Sequence, residues 1–133
     1  MNAKKIVLNG IIVRGLGEGA YFMSRQRYKN EIKKKLGFDA YPGTLNLKIG
    51  KKQSNLLELC FPIKIDGYKQ GSKTFGGANC YKSRIMGIEG SIIVPHLTKH
   101  GKEFIEFIAP VHIKSELKLK DGDKVEIEII KQK

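Results

Sequence analysis

Three places in this chain carry residues whose type and spacing can do chemistry. The first is "GLGEGA", residues 15–20, where Gly15, Gly17 and Gly19 stand on alternate positions. Glycine in an ordered segment costs about 0.5–1 kcal/mol relative to alanine, so the repetition points to a need for bare backbone. The stretch is not a P-loop, because no Gly-Lys-Ser/Thr follows it. Nor is it a dinucleotide fingerprint, because its third glycine comes one place early and no long helix begins there. Two readings stand: a tight structural loop, or an arch whose backbone N–H groups cradle phosphate oxygens as an anion nest.

The second place is "TLNLKI", with Thr44 and Asn46. Residues two apart on a strand point to one side, roughly 6.5–7 Å apart, so a hydroxyl and an amide oxygen there can share one hard cation. Both ligands are neutral and would hold bare Mg²⁺ weakly, needing the charge of nucleotide phosphates to complete the site. As an ordinary strand, the same pair is a polar solvent face. The third is Glu106 in "FIEFIAP", with Phe104 and Ile108 as its same-face neighbours. A carboxylate among apolar residues tends to a raised pKa and can act as a base or accept a specific hydrogen bond. The alternative is an exposed strand position. His96, His100 and His112 read as surface or loop residues, and they form no zinc pattern with Cys60 and Cys80, which lack CxxC spacing.

Elements must position these residues. Residues 5–14 are mostly β-branched or apolar and predict a buried strand, with Asn9 and Gly10 as a bulge. In "SRQRYKNEIKKKLG", Tyr28, Ile32 and Leu36 recur at four-residue spacing, with Ser24 as N-cap and Gly37 as C-cap. This narrow apolar stripe predicts the chain's one helix, lying on the outside or one end of a sheet. Strict alternation of Leu45, Leu47 and Ile49 predicts a strand, and further strands are expected in "CFPIKIDGY", "CYKSRIMG", "IEGSIIVP" and "EFIEFIAP". "KQGSKTFGGAN" reads as a flexible excursion. A last strand pair, "HIKSELKLK" and "KVEIEII", is expected to flank the turn at Asp121 and Gly122. Many short strands with frequent turns point to a mainly β fold, a small closed or nearly closed antiparallel barrel, and 133 residues predict one domain, residues 1–133.

The net charge of +12 favours anionic ligands such as nucleic acid, acidic lipid or a phosphorylated small molecule. Only four of the 25 basic residues are Arg, however, whereas specific phosphate readout favours the guanidinium fork. No apolar run is long enough to span a bilayer and no signal peptide is evident, so a cytoplasmic protein with free thiols and no membrane contact is expected.

The strings "GLGEGAYFMS", "LGFDAYPGTLNL", "GSIIVPHLTKH", "IEFIAP" and "LKLKDGDKVEI", in this order between Val13 and Ile129, resemble the archaeal CTP-dependent riboflavin kinases. Only residues 50–78 match no motif of that family. The resemblance implies a six-stranded barrel of the cradle-loop (RIFT) type and transfer of the γ-phosphoryl group of CTP to the 5′-hydroxyl of riboflavin, giving FMN and CDP. Carried over by position, it implies that Gly15, Leu16, Gly17, Glu18, Gly19 and Ala20 hold the nucleotide phosphates, with Val111, His112, Ile113 and Lys114 on the cytidine nucleotide. Thr44 and Asn46 become ligands of one Mg²⁺, and Thr98 and Glu106 contact the flavin, Glu106 being also the candidate base. Ala20 stands where some relatives are expected to have a basic residue, which leaves charge neutralisation to a neighbour such as Arg14 or a lysine. A monomer acting on small molecules, with no nucleic-acid partner, is expected. The rival is a basic β-barrel nucleic-acid-binding or transcription-regulator-like module, because "LKLKDGDKVEIEI" also resembles the final hairpin of such proteins.

Overall fold

Strand alternation sorts the apolar residues of this chain onto the two faces of a single sheet. The structure is a computed structural model and describes residues 6–15, 23–96 and 101–130. Its strands are β1 (Ile6–Val13), β2 (Leu45–Ile49), β3 (Ile63–Ile65), β4 (Tyr68–Gln70), β5 (Lys73–Phe75), β6 (Ala78–Ile85), β7 (Ile88–Pro95), β8 (Phe104–Ile108) and β9 (Lys124–Ile129). Hydrogen bonding runs β6-β7-β8-β2-β1-β9 and returns to β6 through Ser83 and Arg84, closing a six-stranded antiparallel barrel. The seam is extended where the Ile130 N–H donates to the Lys82 carbonyl at 2.8 Å. β6 serves two partners along one edge: its first half pairs with the short β3, its second half with β9.

Inside the barrel lie Leu8, Ile12, Leu45, Leu47, Ile49, Ile85, Ile92, Ile105, Phe107, Val125 and Ile127. Gly10 makes no bulge. It keeps continuous register with Ile49 on one side and Val125 on the other, and a Cβ there would meet Ile49 Cγ2 at 3.3 Å, so the missing side chain makes room for the core. The alternate residues of β2, β6, β7 and β8 face outward, where Ala78, Cys80, Ile93 and Ile108 form a second apolar layer. Helix α1 (Gln26–Leu36) lies on that layer through Tyr28, Ile32 and Leu36, the stripe read from the sequence, and ends at Gly37 in the left-handed conformation, φ 88°. Its N-cap is Arg25 rather than Ser24, and no side chain caps it. The Arg25 guanidinium is held instead by the β4–β5 hairpin, 4.3 Å over the Phe75 ring and 3.3 Å from the Tyr68 hydroxyl.

Two more helices depart from the single one expected. Helix α2 (Lys51–Glu58) buries only Ser54 and Leu57, too short a stripe to show a period. Residues 113–117, read as strand, form the short helix α3 (Ile113–Leu117), closed at its start by a 2.5 Å contact between His112 Nδ1 and Ser115 Oγ. The physical reason is topological: β8 already pairs with β2 and β7, and β9 with β1 and β6, so the closed barrel leaves no edge for another strand there. The stretch read as a flexible excursion is the β4–β5 hairpin, whose base is pinched where Gly67 and Gly77 approach so closely that a Cβ on either would strike the opposite backbone.

Candidate functional site

Thr44 ends the segment leading into β2, and Asn46 sits within that strand on the outer face of the barrel. In register, Val13, Asn46, Glu106 and Ile93 form one row across β1, β2, β8 and β7, so Asn46 and Glu106 stand directly opposite each other. The Thr44 hydroxyl donates to Glu106 Oε1 at 2.7 Å. Asn46 is 7% exposed and Glu106 3%, so both polar groups are held inside apolar surroundings. The two readings left open for Thr44 and Asn46 are thereby narrowed, because a polar solvent face would leave Asn46 in water.

The Asn46 amide is unevenly satisfied. Its Nδ2 lies 3.5 Å from the Thr44 carbonyl oxygen, while Oδ1 is buried and meets no hydrogen-bond donor among the described residues. A buried carbonyl oxygen without a donor is costly, and a cation is one of the few groups that can satisfy it. Gly15 begins at this point: a Cβ built on it would sit 3.5 Å from Asn46 Nδ2. The glycine stretch therefore leaves β1 against the candidate cation site. Leu16, Gly17, Glu18, Gly19 and Ala20 lie outside the described residues, as does Thr98.

The Thr44–Glu106 hydrogen bond links a residue that lines one cavity to a residue that lines another. One, of about 220 Å³, lies between the Tyr41–Leu45 approach to β2 and the start of α3, and Thr44, Val111, His112, Ile113 and Lys114 all line it. The Tyr41 N–H donates to the Ala109 carbonyl at 2.8 Å and ties these segments together, and the Tyr41 ring packs on His112 with centroids 5.0 Å apart. Among its described lining residues Lys114 is the one Lys or Arg, and its ammonium is paired with Asp121 at 2.6 Å. Arg14 stands exposed beside Gly15.

The other cavity, of about 240 Å³, contains Glu106 and opens where β7 and β8 part. The last pair of that ladder is Ile93 with Glu106; beyond it Val94 and Pro95 diverge from Phe104 and Ile105, and Leu57 of α2 and Tyr81 of β6 line the same space. Burial raises the Tyr81 phenol above its ordinary pKa, with the Asn79 amide acting in the opposite direction. Tyr41, Asn79, Tyr81 and Lys102 line these cavities and were not singled out by sequence reasoning. For Tyr41 a signal existed, since it immediately precedes the Pro-Gly-Thr of the β2 motif. For Asn79 and Lys102 the signal is purely tertiary.

A family profile described as "CTP-dep_RFKase: Domain of unknown function DUF120" matches residues 12–129. A protein named "Riboflavin kinase" from Archaeoglobus fulgidus is 43% identical over 128 residues, covering 94% of this chain and 55% of that protein. "Riboflavin kinase" of Pyrobaculum aerophilum is 42% identical over 132 residues, 97% of this chain and 63% of that protein. "Riboflavin kinase" of Methanosarcina acetivorans is 41% identical over 128 residues, 94% and 54% respectively. The chain thus spans between about half and two thirds of the length of these relatives.

Proposed function

This chain belongs to the CTP-dep_RFKase family, and from that premise we propose that it transfers the γ-phosphoryl group of CTP to the 5′-hydroxyl of riboflavin, giving FMN and CDP. The observation that carries the reading is the Thr44–Glu106 hydrogen bond, which ties a residue of one cavity to a residue of the other, because a transfer enzyme must bring donor and acceptor together at one point. The nucleotide takes the cavity of Val111, His112, Ile113 and Lys114, its phosphates running toward Gly15, and residues 15–20 wrap them with backbone donors. Lys114 and Arg14 are the nearby cations from which charge neutralisation is drawn. The flavin takes the cleft between β7 and β8, its ribityl chain directed at Glu106, with Thr98 as a further contact.

Phosphoryl transfer is mainly positioning and charge stabilisation. The bond that forms joins the 5′-oxygen to the γ-phosphorus, and the bond that breaks releases CDP. Glu106 accepts the hydrogen bond of the 5′-hydroxyl, orients that oxygen and stands ready to receive its proton, while the Thr44 hydroxyl fixes the carboxylate. The residues fit one Mg²⁺: Thr44 Oγ1 and the orphaned Asn46 Oδ1 are hard oxygens, and both are neutral, so binding would depend on the phosphates of the nucleotide. When bound, Mg²⁺ supplies positive charge to the phosphate oxygens.

The test is to incubate the protein with riboflavin, Mg²⁺ and each of CTP, ATP, GTP and UTP in turn, resolving FMN by chromatography with fluorescence detection. FMN formed chiefly with CTP is expected. No FMN with any donor, Mn²⁺ controls included, would overturn the reading in favour of a basic binding module.

A further inference from the structure

The cleft that holds Glu106 is apolar over most of its wall, yet it carries one amide that the proposed reaction does not use. Asn79 lies on β6, two strands from Glu106 in the order β6-β7-β8 and so roughly 10 Å away. Its backbone is held from both sides, paired with Lys64 of β3 and Val94 of β7. Its side chain is held as well: His96 Nε2 and Asn79 Oδ1 are 2.9 Å apart, and the His96 N–H donates to the Gly77 carbonyl at 2.9 Å. With Nε2 protonated, His96 donates to Oδ1 and fixes which way the amide points. An amide carbonyl has two acceptor sites and an NH₂ two hydrogens; with one acceptor site on His96 and one N–H donated to the Tyr81 hydroxyl, Asn79 keeps one acceptor and one donor for a ligand in the cleft.

We propose that Asn79, oriented by His96, is the specificity-determining residue that reads the imide edge of the flat heteroaromatic in this cleft. The amide accepts from the ring N–H through its second lone pair and donates to the adjacent carbonyl. This rests on the riboflavin reading given above and deepens it. The apolar walls, Ile93 and Phe104 among them, are sequence-tolerant toward any planar ring; discrimination between rings must come from a polar group on a rigid element, and the β6 ladder supplies one.

The probes are riboflavin and 3-methylriboflavin, whose imide N–H is replaced by N–CH₃, and the readout is quenching of flavin fluorescence on titration with protein. Wild type is expected to bind riboflavin about tenfold more tightly than the methylated analogue, in line with loss of one or two neutral hydrogen bonds. Asn79→Leu should bind the two flavins within about twofold of each other and leave the affinity for CDP unchanged. His96→Ala, which leaves the cleft-lining amide in place, should keep only part of the discrimination, and it serves as the second variant should Asn79→Leu fail to fold. Full discrimination in folded Asn79→Leu, or in His96→Ala where that is the variant read, overturns the inference alone. Absence of riboflavin quenching by wild type overturns the riboflavin reading and the inference with it.

Discussion

Replacing Asn46 by leucine should make the protein more stable and less active at once. Asn46 is nearly buried, and among the described residues its Oδ1 finds no donor and its Nδ2 reaches the Thr44 carbonyl only at 3.5 Å, the limit of a hydrogen bond. Burying an amide without compensation costs about 1–3 kcal/mol in proteins. Leucine has a similar volume; of its two neighbours in the row Val13 is apolar, and Glu106 keeps its hydrogen bond from the Thr44 hydroxyl. In the metal-free, nucleotide-free protein Asn46→Leu should therefore gain about 1–2 kcal/mol, a rise in Tm of roughly 3–8 °C for a domain of this size. The same change removes an oxygen on which charge stabilisation depends and should lower FMN formation by at least about 10²-fold. Thermal unfolding followed by circular dichroism and the chromatographic FMN assay measure the two quantities on one preparation. Asn46→Asp is the complementary variant: it sets a second carboxylate opposite Glu106, should destabilise the protein alone, and should be rescued by Mg²⁺. A fall in Tm for Asn46→Leu, or turnover near wild type, would refute the reasoning that this amide is kept at a cost for its ligand.

Glu106→Gln keeps an oxygen for the Thr44 hydroxyl but loses the charge, so FMN formation should drop about 10²-fold or more with Tm nearly unchanged; steady-state kinetics beside thermal unfolding decide this. Gly90→Ala should cost about 3 kcal/mol in urea unfolding or abolish soluble expression, because the new methyl collides with the Ile108 carbonyl and lies 2.8 Å from the Phe107 ring. Burial pushes the Cys80 thiol up to about 12 from 9.0, so the folded state keeps a proton that the unfolded chain releases above pH 9. The stabilisation from this group is complete below pH 9 and is lost as pH rises from 9 toward 12, at about 1.4 kcal/mol per pH unit. Wild type minus Cys80→Val in urea unfolding should change by only about 0.3 kcal/mol from pH 8 to 9 and fall by about 1 kcal/mol from pH 9 to 10, and a flat difference between pH 9 and 10 would contradict it.

The barrel was legible because its signal is local. Leu45, Leu47 and Ile49 alternate, so β2 announces both its conformation and its buried face, and Tyr28, Ile32 and Leu36 do the same for α1 at helical spacing. What stayed hidden depends on the sheet having closed. Residues 113–117 have strand-like apolar spacing, yet no strand edge remains for them, and that fact exists only at the level of topology. The β4–β5 hairpin read as polar excursion because its order comes from elsewhere: Arg25 lies over Phe75 and Arg27 over Tyr68, reaching the hairpin from across the chain. For the candidate site, the residue types were visible and their union was not, since nothing in the spacing of Thr44 and Glu106 places a hydroxyl 2.7 Å from a carboxylate across β2 and β8.

The same guanidinium contacts bear on what the positive charge is for. A single-strand nucleic-acid platform needs aromatic faces free to stack bases between cations. Tyr68 and Phe75 stack on each other with centroids 4.7 Å apart, and each carries an arginine on its ring. Tyr41 lies against His112, and Tyr28 packs edge-on to Tyr68. Phe61, 86% exposed, has no such neighbour among the described residues. Two of the four arginines are thus spent on holding the hairpin to α1, immediately after the glycine stretch, and the free charge is mostly lysine, a strongly hydrated point charge. Lysines spread over a barrel raise the local concentration of a small polyanion in any orientation, whereas base recognition would require fixed forks and open rings. Binding of single-stranded DNA should accordingly be weak and vanish between 50 and about 200 mM salt, while CTP-dependent turnover persists. Salt-resistant DNA binding, measured by fluorescence anisotropy, would reverse that assignment of the charge.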